Sequence, residues 1–161
     1  MADSSAQAAG PQAMAIPMGE MIGAVHHFPL RVFYEDTDAA GIVYYANYLK
    51  FIERARTEMM RLLGITHSTM KQQTGLVFVV RRCAVDYGQP ARLDDEIIVQ
   101  TRMLALGGAS IELEQIVTRQ GTTLVTAILR LACINAEGRA ARLPASIRDV
   151  LAPLLHKQGE H

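Results

Sequence analysis

The chain has 161 residues, sixteen Lys and Arg against sixteen Asp and Glu, and half of its residues are hydrophobic. That length predicts one domain with a core large enough to fold without disulfides or a structural metal. The balanced charge argues against a face that grips nucleic acid, and neutrality joined to a high apolar content favours self-association.

Residues 1–24 are rich in Ala, Gln, Ser, Gly and Met, carry Asp3, and lack the early Lys or Arg of a secretory leader. They read as a flexible extension ahead of a domain over residues 25–161. No run reaches the ~18 apolar residues of a bilayer span, so a cytoplasmic location is expected. The first ordered element is expected near His27. Phe28 to Tyr34 reads as a strand with Leu30, Val32 and Tyr34 on one side and Arg31 and Phe33 on the other. Glu35-Asp36-Thr37-Asp38-Ala39-Ala40-Gly41 is then an acidic turn,.

After the turn the period changes. Tyr45, Tyr48, Leu49, Ile52, Ala55, Met59, Leu62 and Leu63 predict an amphipathic helix over residues 44–63,. Lys50, Glu53, Arg54, Thr57, Glu58 and Arg61 form its expected solvated face, with Arg54–Glu58 and Glu53–Arg56 spaced as ion pairs,. Gly64 marks the end, and a short helix follows over about residues 66–74,.

From Leu76 onward the pattern predicts a meander. Leu76–Asp86 is a strand, and Glu96–Leu106 is a second with Ile97, Val99, Thr101 and Met103 inward. After the Gly107-Gly108 turn, Ser110–Arg119 returns with Ile111, Leu113 and Val117 on one face. A Gln120-Gly121 turn then leads to Thr122–Asn135,. Pro144–Leu155 reads as a closing helix. One long helix is available to cover the sheet, so the pattern predicts an α+β domain with the sheet curled around that helix.

The acidic turn feeding the long helix is the main candidate site. A helix start leaves N–H groups unpaired and carries partial positive charge, which suits an anion forming on a carbonyl oxygen. A carboxylate just upstream then acts on the same carbonyl, as nucleophile or as a base for water. Asp38, with the N–H groups near Tyr44 and Tyr45, has this arrangement, and Gly41 lets the backbone pass close to a ligand. The competing explanation is that Asp36 and Asp38 only cap the helix or shape the turn.

Other residues carry less. Cys83 and Cys133 lie in strand-like runs; one disulfide is a possible pairing, and a reduced, buried pair is the favoured reading. His26 and His27 are expected on the surface or tail, and His67, His156 and His161 make no metal spacing. Arg81 and Arg82 interrupt an apolar strand, and either reach the phosphates of a ligand or pair with Asp86, Glu112 or Glu114. Gly107-Gly108 has no following helix and so no phosphate role.

The run Tyr34 to Tyr48, reading YEDTDAAGIVYYANY, resembles the signature of the 4-hydroxybenzoyl-CoA thioesterase family of hot-dog proteins. Glu53-Arg54-Ala55-Arg56-Thr57-Glu58 and Ala91-Arg92-Leu93-Asp94-Asp95 look more like the bacterial acyl-CoA thioesterases associated with the Tol-Pal system. The resemblance runs from about Phe28 to the closing helix. It implies a hot-dog fold, a homodimer joined sheet edge to sheet edge or a homotetramer of such pairs, and active sites at the subunit interface. It implies hydrolysis of acyl-CoA with Asp38 catalytic, the Tyr45 N–H on the thioester oxygen, Asp36 structural, and no metal or cofactor. Gly41, Val43, Tyr44, Arg81 and Arg82 are the expected substrate contacts. Some relatives carry a histidine where this chain has Tyr45, so their acyl preference does not transfer. Two other readings stand beside this one. The first is a dehydratase or hydratase using His27 and Glu53. The second is a non-enzymatic acyl-thioester sensor or scaffold for acyl-carrier protein and phospholipid-synthesis partners.

Overall fold

The computed structural model describes residues 14–155. Its strands are β1 (Glu20–Ile22), β2 (Val25–Arg31), β3 (Val77–Tyr87), β4 (Glu96–Leu106), β5 (Ser110–Arg119) and β6 (Thr122–Ile134). The helices are α1 (Asn47–Leu62), α2 (His67–Thr74) and α3 (Ala145–Leu151). All strand pairs are antiparallel, in the order β1-β2-β4-β5-β6-β3.

The alternation read from the sequence sets the inner face. Ile97, Val99, Thr101 and Met103 of β4 are buried, as are Ile111, Leu113 and Val117 of β5. They meet a stripe of α1 formed by Tyr48, Phe51, Ile52, Ala55 and Met59. Full burial of side chains such as Phe51 and Ile52 contributes roughly 1.5–3 kcal/mol each. The core divides along α1. Phe28, Val32, Val43, Tyr48 and Phe51 gather at its start, and Met59, Met60, Met70, Leu143 and Leu151 at its end.

Four expectations are corrected. The second half of the chain is not a meander, because β4 lies between β2 and β5 while β3 occupies the far edge beside β6. Alternation reveals which side of a strand is buried, not which strand lies next to it. The connection between β3 and β4 is tied by Gly88 N–H to Leu124 O (2.8 Å), and its Ala91 O accepts from Val43 N–H (2.9 Å).

Ordered structure also begins before His27, since β1 pairs with β2 and places Glu20 opposite His27. Residues 1–13 of the expected extension, with His156 and His161, lie outside the described residues. His26 is fully buried rather than superficial, and its Nε2–H donates to the Met18 carbonyl at 2.7 Å. The inner face of β2 runs through His26 and Phe28 toward Val32, whereas Tyr34 enters a 3₁₀ turn (Tyr34–Asp36) and is exposed. Burial lowers the His26 pKa below its ordinary value, against the opposing pull of the Met18 carbonyl,.

The third correction concerns α1, which starts at Asn47 and leaves Leu49 exposed. Arg56 does not face solvent: it is only 7% exposed and pairs with Glu53 while donating to Gln115 Oε1 at 2.9 Å. Gln115 in turn donates to Ile52 O (2.8 Å) and Thr101 Oγ1 (2.9 Å). Glu58 pairs with Arg61 at 3.7 Å rather than with Arg54. The fourth concerns the cysteines. Both are free thiols, but only Cys133 is buried, because Cys83 sits on the edge strand β3.

Candidate active site

The acidic turn is held by main-chain hydrogen bonds together with the side chains of Asp36, Thr37, Asp38 and Asn47. Asp36 Oδ2 accepts from Phe33 N–H at 2.7 Å, and Asp36 O accepts from Tyr44 N–H (3.0 Å) and from the Asn47 side-chain amide (2.9 Å). Asp36 therefore locks the turn onto the start of α1, in line with the structural role implied for it. Asp38 N–H donates to Ile42 O (2.9 Å) and Gly41 N–H to Asp38 O (3.0 Å), which closes a small loop. Gly41 turns that loop at φ +75°, a conformation that disfavours any side chain,. An added Cβ there meets nothing within 4 Å, so the backbone angle rather than a crowded approach sets the need for glycine.

Asp38 stands exposed on this loop. Its Oδ1 accepts from Ala40 N–H at 2.8 Å, and Oδ2 has no partner among the described residues. The carboxylate is thus oriented by one bond and free on its other oxygen. Two N–H groups were candidates to face it across the helix start, and they differ. Tyr44 N–H is committed to Asp36 O, whereas Tyr45 N–H has no acceptor among the described residues. Ala46, the residue before α1, supplies no side-chain cap, which leaves the first turn of the helix open,.

Aromatic side chains surround this end of α1. The Tyr44 and Tyr45 rings lie 4.9 Å apart, Tyr45 meets Tyr87 edge-on at 6.1 Å, and Tyr87 meets Tyr48 at 5.8 Å. Tyr87 OH donates to Tyr45 O at 3.0 Å, and the Tyr48 hydroxyl accepts from Ala91 N–H at 2.9 Å. Burial raises both the Tyr48 and Tyr87 pKa values, so each phenol keeps its proton at neutral pH,. A cavity of about 260 Å³ opens here between Val43, Tyr45, Tyr48, Tyr87 and Pro90. A second, smaller cavity of about 60 Å³ lies further along α1, lined by Met59, Met60, Phe78 and Leu113 and also by Glu53 and His67.

The structure thus brings Asp38, Gly41, Val43, Tyr44 and Tyr45 into one loop and helix start. Val43 is buried and lines the 260 Å³ cavity. Arg81 and Arg82 are not part of this group. They sit five to six residues before Tyr87 on β3, roughly 17–20 Å along the strand at ~3.3 Å per residue. Sequence reading passed over Tyr87, whose position against Tyr45 depends on β3 reaching the helix start. It also passed over Asn47, although Asn47 lies inside the signature run. His27 and Glu53, the pair a dehydratase reading would need, lie apart: His27 lies on β2 opposite Gln100, and Glu53 is bound to Arg56.

A curved antiparallel sheet closed around one long helix, with an acidic loop at the helix start, defines a hot-dog domain. The chain matches the thioesterase-like superfamily over residues 32–152 and belongs to it. It is similar to the acyl-CoA thioesterase YbgC of Haemophilus influenzae, 46% identical over 108 residues that span 67% of this chain and 79% of that one. It is likewise similar to the acyl-CoA thioester hydrolase YbgC of Escherichia coli, 42% identical across 74% of this chain and 90% of that one. Among solved structures, a probable thioesterase from Bartonella henselae superposes with a TM-score of 0.71 at 38% identity. That match covers 74% of this chain and 99% of the other.

Proposed function

We propose that this chain hydrolyses acyl-CoA thioesters at the loop before α1, with Asp38 as the catalytic carboxylate and the Tyr45 N–H as the oxyanion donor. The observation that carries this reading is the division of labour at the helix start. Tyr44 N–H is spent on Asp36, which leaves Tyr45 N–H unpaired at the positive end of α1,. The thioester carbonyl oxygen lies against that N–H. Asp38 Oδ2 then either attacks the carbonyl carbon, giving a mixed anhydride that water opens, or removes a proton from a water that attacks directly. In both routes one water is consumed, the C–S bond breaks, and coenzyme A leaves as thiolate and takes up a proton. Val43, Tyr44 and Gly41 shape the approach, and the apolar cavity among Met59, Met60 and Phe78 receives an acyl tail.

A second copy completes the site in this reading. Asp38 is exposed in the single chain, and β3, eleven residues long, offers a free outer edge suited to pairing with its counterpart,. Among the described residues no helix is long and apolar enough to cross a membrane, which accords with an enzyme that meets acyl-CoA in the cytoplasm. Acyl-carrier-protein thioesters are the alternative substrate, and a sensor that binds acyl thioesters without turnover is the alternative role.

The test is free-thiol release from short, medium, long-chain and aromatic acyl-CoA, with wild type beside Asp38→Ala. Turnover lost in a variant that keeps its melting temperature supports the assignment. Turnover undiminished without Asp38, or none on any thioester, overturns it.

A further inference from the structure

The loop that carries Asp38 leans on a second segment of the chain. Between β3 and β4, residues 90–95 run beside the returning limb of that loop, residues 41–43. Val43 N–H donates to Ala91 O at 2.9 Å and Leu93 N–H to Gly41 O at 3.4 Å, with Ile42 and Arg92 forming an antiparallel bridge between those two bonds. Asp38 itself is bonded only within the loop among the described residues, to Ala40, Gly41 and Ile42. Where its carboxylate stands is therefore set from one side by the Asp36 contacts to the helix start, and from the other by residues 90–95.

Those residues are held in turn by one ion pair. Arg119, the last residue of β5, reaches both ends of the segment: its Nη1 donates to Pro90 O at 3.2 Å and to Asp95 Oδ2 at 2.6 Å. The same Asp95 oxygen accepts from Arg92 N–H at 2.8 Å, and Asp95 N–H donates to Arg92 O at 3.1 Å, which closes a tight turn. Asp94 sits in that turn at φ +68°, a left-handed angle that a residue with a side chain keeps where its surroundings impose it,. Burial pulls the Asp95 pKa up, yet the Arg92 N–H and the Arg119 guanidinium outweigh it and hold the carboxyl below its ordinary value,. Neither Asp95 nor Arg119 lines the cavity at the helix start, whereas Ile42, Val43 and Pro90 do. The pair reaches the site through the backbone alone.

We infer that Asp95 and Arg119 are positioning residues for the hydrolysis: their ion pair fixes residues 90–95, and these set the Asp38 carboxylate against a carbonyl held at Tyr45 N–H. The inference rests on the assignment of Asp38 proposed above and extends it to two residues that the substrate does not touch. Misplacing a reacting group by ~1 Å costs up to about 10²-fold in rate. Contacts that bind the rest of the substrate stay as they were, so kcat falls while KM holds.

The experiment measures thiol release from the acyl-CoA that wild type hydrolyses fastest, using the full chain, Arg119→Met, Arg119→Lys and Asp95→Ala. The Arg102–Glu114 pair, further along β4, is the matched control: its side chains are 30% and 23% exposed, against 27% and 23% for Arg119 and Asp95. Arg119→Met and Asp95→Ala are expected to lower kcat on the order of 10–10²-fold with KM nearly unchanged. Arg119→Lys should recover part of the loss, and Arg102→Met should leave kcat close to wild type. In an Asp38→Ala background Arg119→Met should lower the residual rate no further, because no carboxylate is left to place. Asp95→Asn keeps an acceptor for Arg92 N–H and loses only the charge, so it carries the same test if the truncated variants do not fold. An unchanged kcat in Arg119→Met, an equal fall in Arg102→Met, or a full further fall in the Asp38→Ala background overturns the inference. Amide hydrogen exchange separates the strap from the chemistry. In Arg119→Met the N–H groups of Val43 and Leu93 should exchange several-fold faster while α1 is unchanged. That local effect sustains the strap even where Asp38→Ala leaves turnover intact and the assignment of Asp38 fails. Unchanged exchange at Val43 and Leu93, or faster exchange throughout the chain, overturns it.

Discussion

The two ends of α1 are built on opposite plans. Its middle and C-terminal half are held by buried side chains: Ala55 and Met59 against the sheet, and Arg56 between Glu53 and Gln115, which also binds Ile52 O and Thr101. The first turn is anchored on its inner side by the buried Tyr48, whose hydroxyl accepts from Ala91 N–H, while its outer side and its N–H groups stay open. No side chain caps it, the Tyr45 ring is 61% exposed, and the loop in front is held by main-chain bonds and Asn47. A helix fixed by its middle can leave its start open to solvent and still keep that start in place. Such an arrangement suits an end whose N–H groups must meet a ligand rather than each other.

Changes at the two ends should therefore separate chemistry from stability. Asp38→Asn removes the carboxylate from the open end and is expected to lower kcat about 10²–10⁴-fold. Its unfolding free energy is expected to stay within about 0.5 kcal/mol of wild type. Thiol-release assays and urea denaturation on the same preparations test this, and a large loss of stability would show that Asp38 serves the turn instead.

Gln115→Leu attacks the anchored part. It leaves a buried guanidinium with one partner fewer and should cost about 2–3 kcal/mol in urea denaturation, with a smaller change in kcat for the molecules that remain folded. Asn47→Ala lies between the two. Loss of its bond to Asp36 O should cost about 1 kcal/mol and lower kcat several-fold, because the Asp36 carbonyl also orders Tyr44 and through it the free Tyr45 N–H.

The smallest effect is a pH slope. Burial lowers the His26 pKa in the folded chain below the value of about 6.5 that it has when unfolded,. Below pH 6.5 the unfolded state therefore takes up more protons, so this contribution is complete above 6.5 and declines as the pH falls. Between pH 6.5 and 5.5 His26→Gln should flatten the stability curve by no more than about 1.4 kcal/mol per pH unit. Urea midpoints across that range measure it, and an unchanged slope would mean that His26 takes up its proton within the fold.

Sequence reading captured what depends on local order. Strands β4 and β5 begin and end where alternation and the Gly107-Gly108 and Gln120-Gly121 turns place them, and α2 differs from its expected span by one residue. The acidic turn, its glycine and the helix after it were legible because turn chemistry and helical period change within a few residues. The errors fall where partners lie far apart along the chain. Arg56 looked solvated because its partner Gln115 is 59 residues away, and His26 looked peripheral because nothing local announces β1.

The sequence by itself determined the α+β class, the long helix, most strand limits and the loop holding Asp38, since each follows from period, turn residues or a contiguous motif. Only the tertiary structure decided the strand order, the meeting of Tyr87 with Tyr45, and the bond from Tyr44 N–H to Asp36 O that leaves Tyr45 N–H without an acceptor among the described residues. It also decided that Arg82 of β3 stands opposite Arg130 of β6, because a ladder register exists only once the two strands lie side by side. Backbone propensity and hydrophobic period act over a few residues, while register and edge pairing are settled by which distant surfaces bury each other.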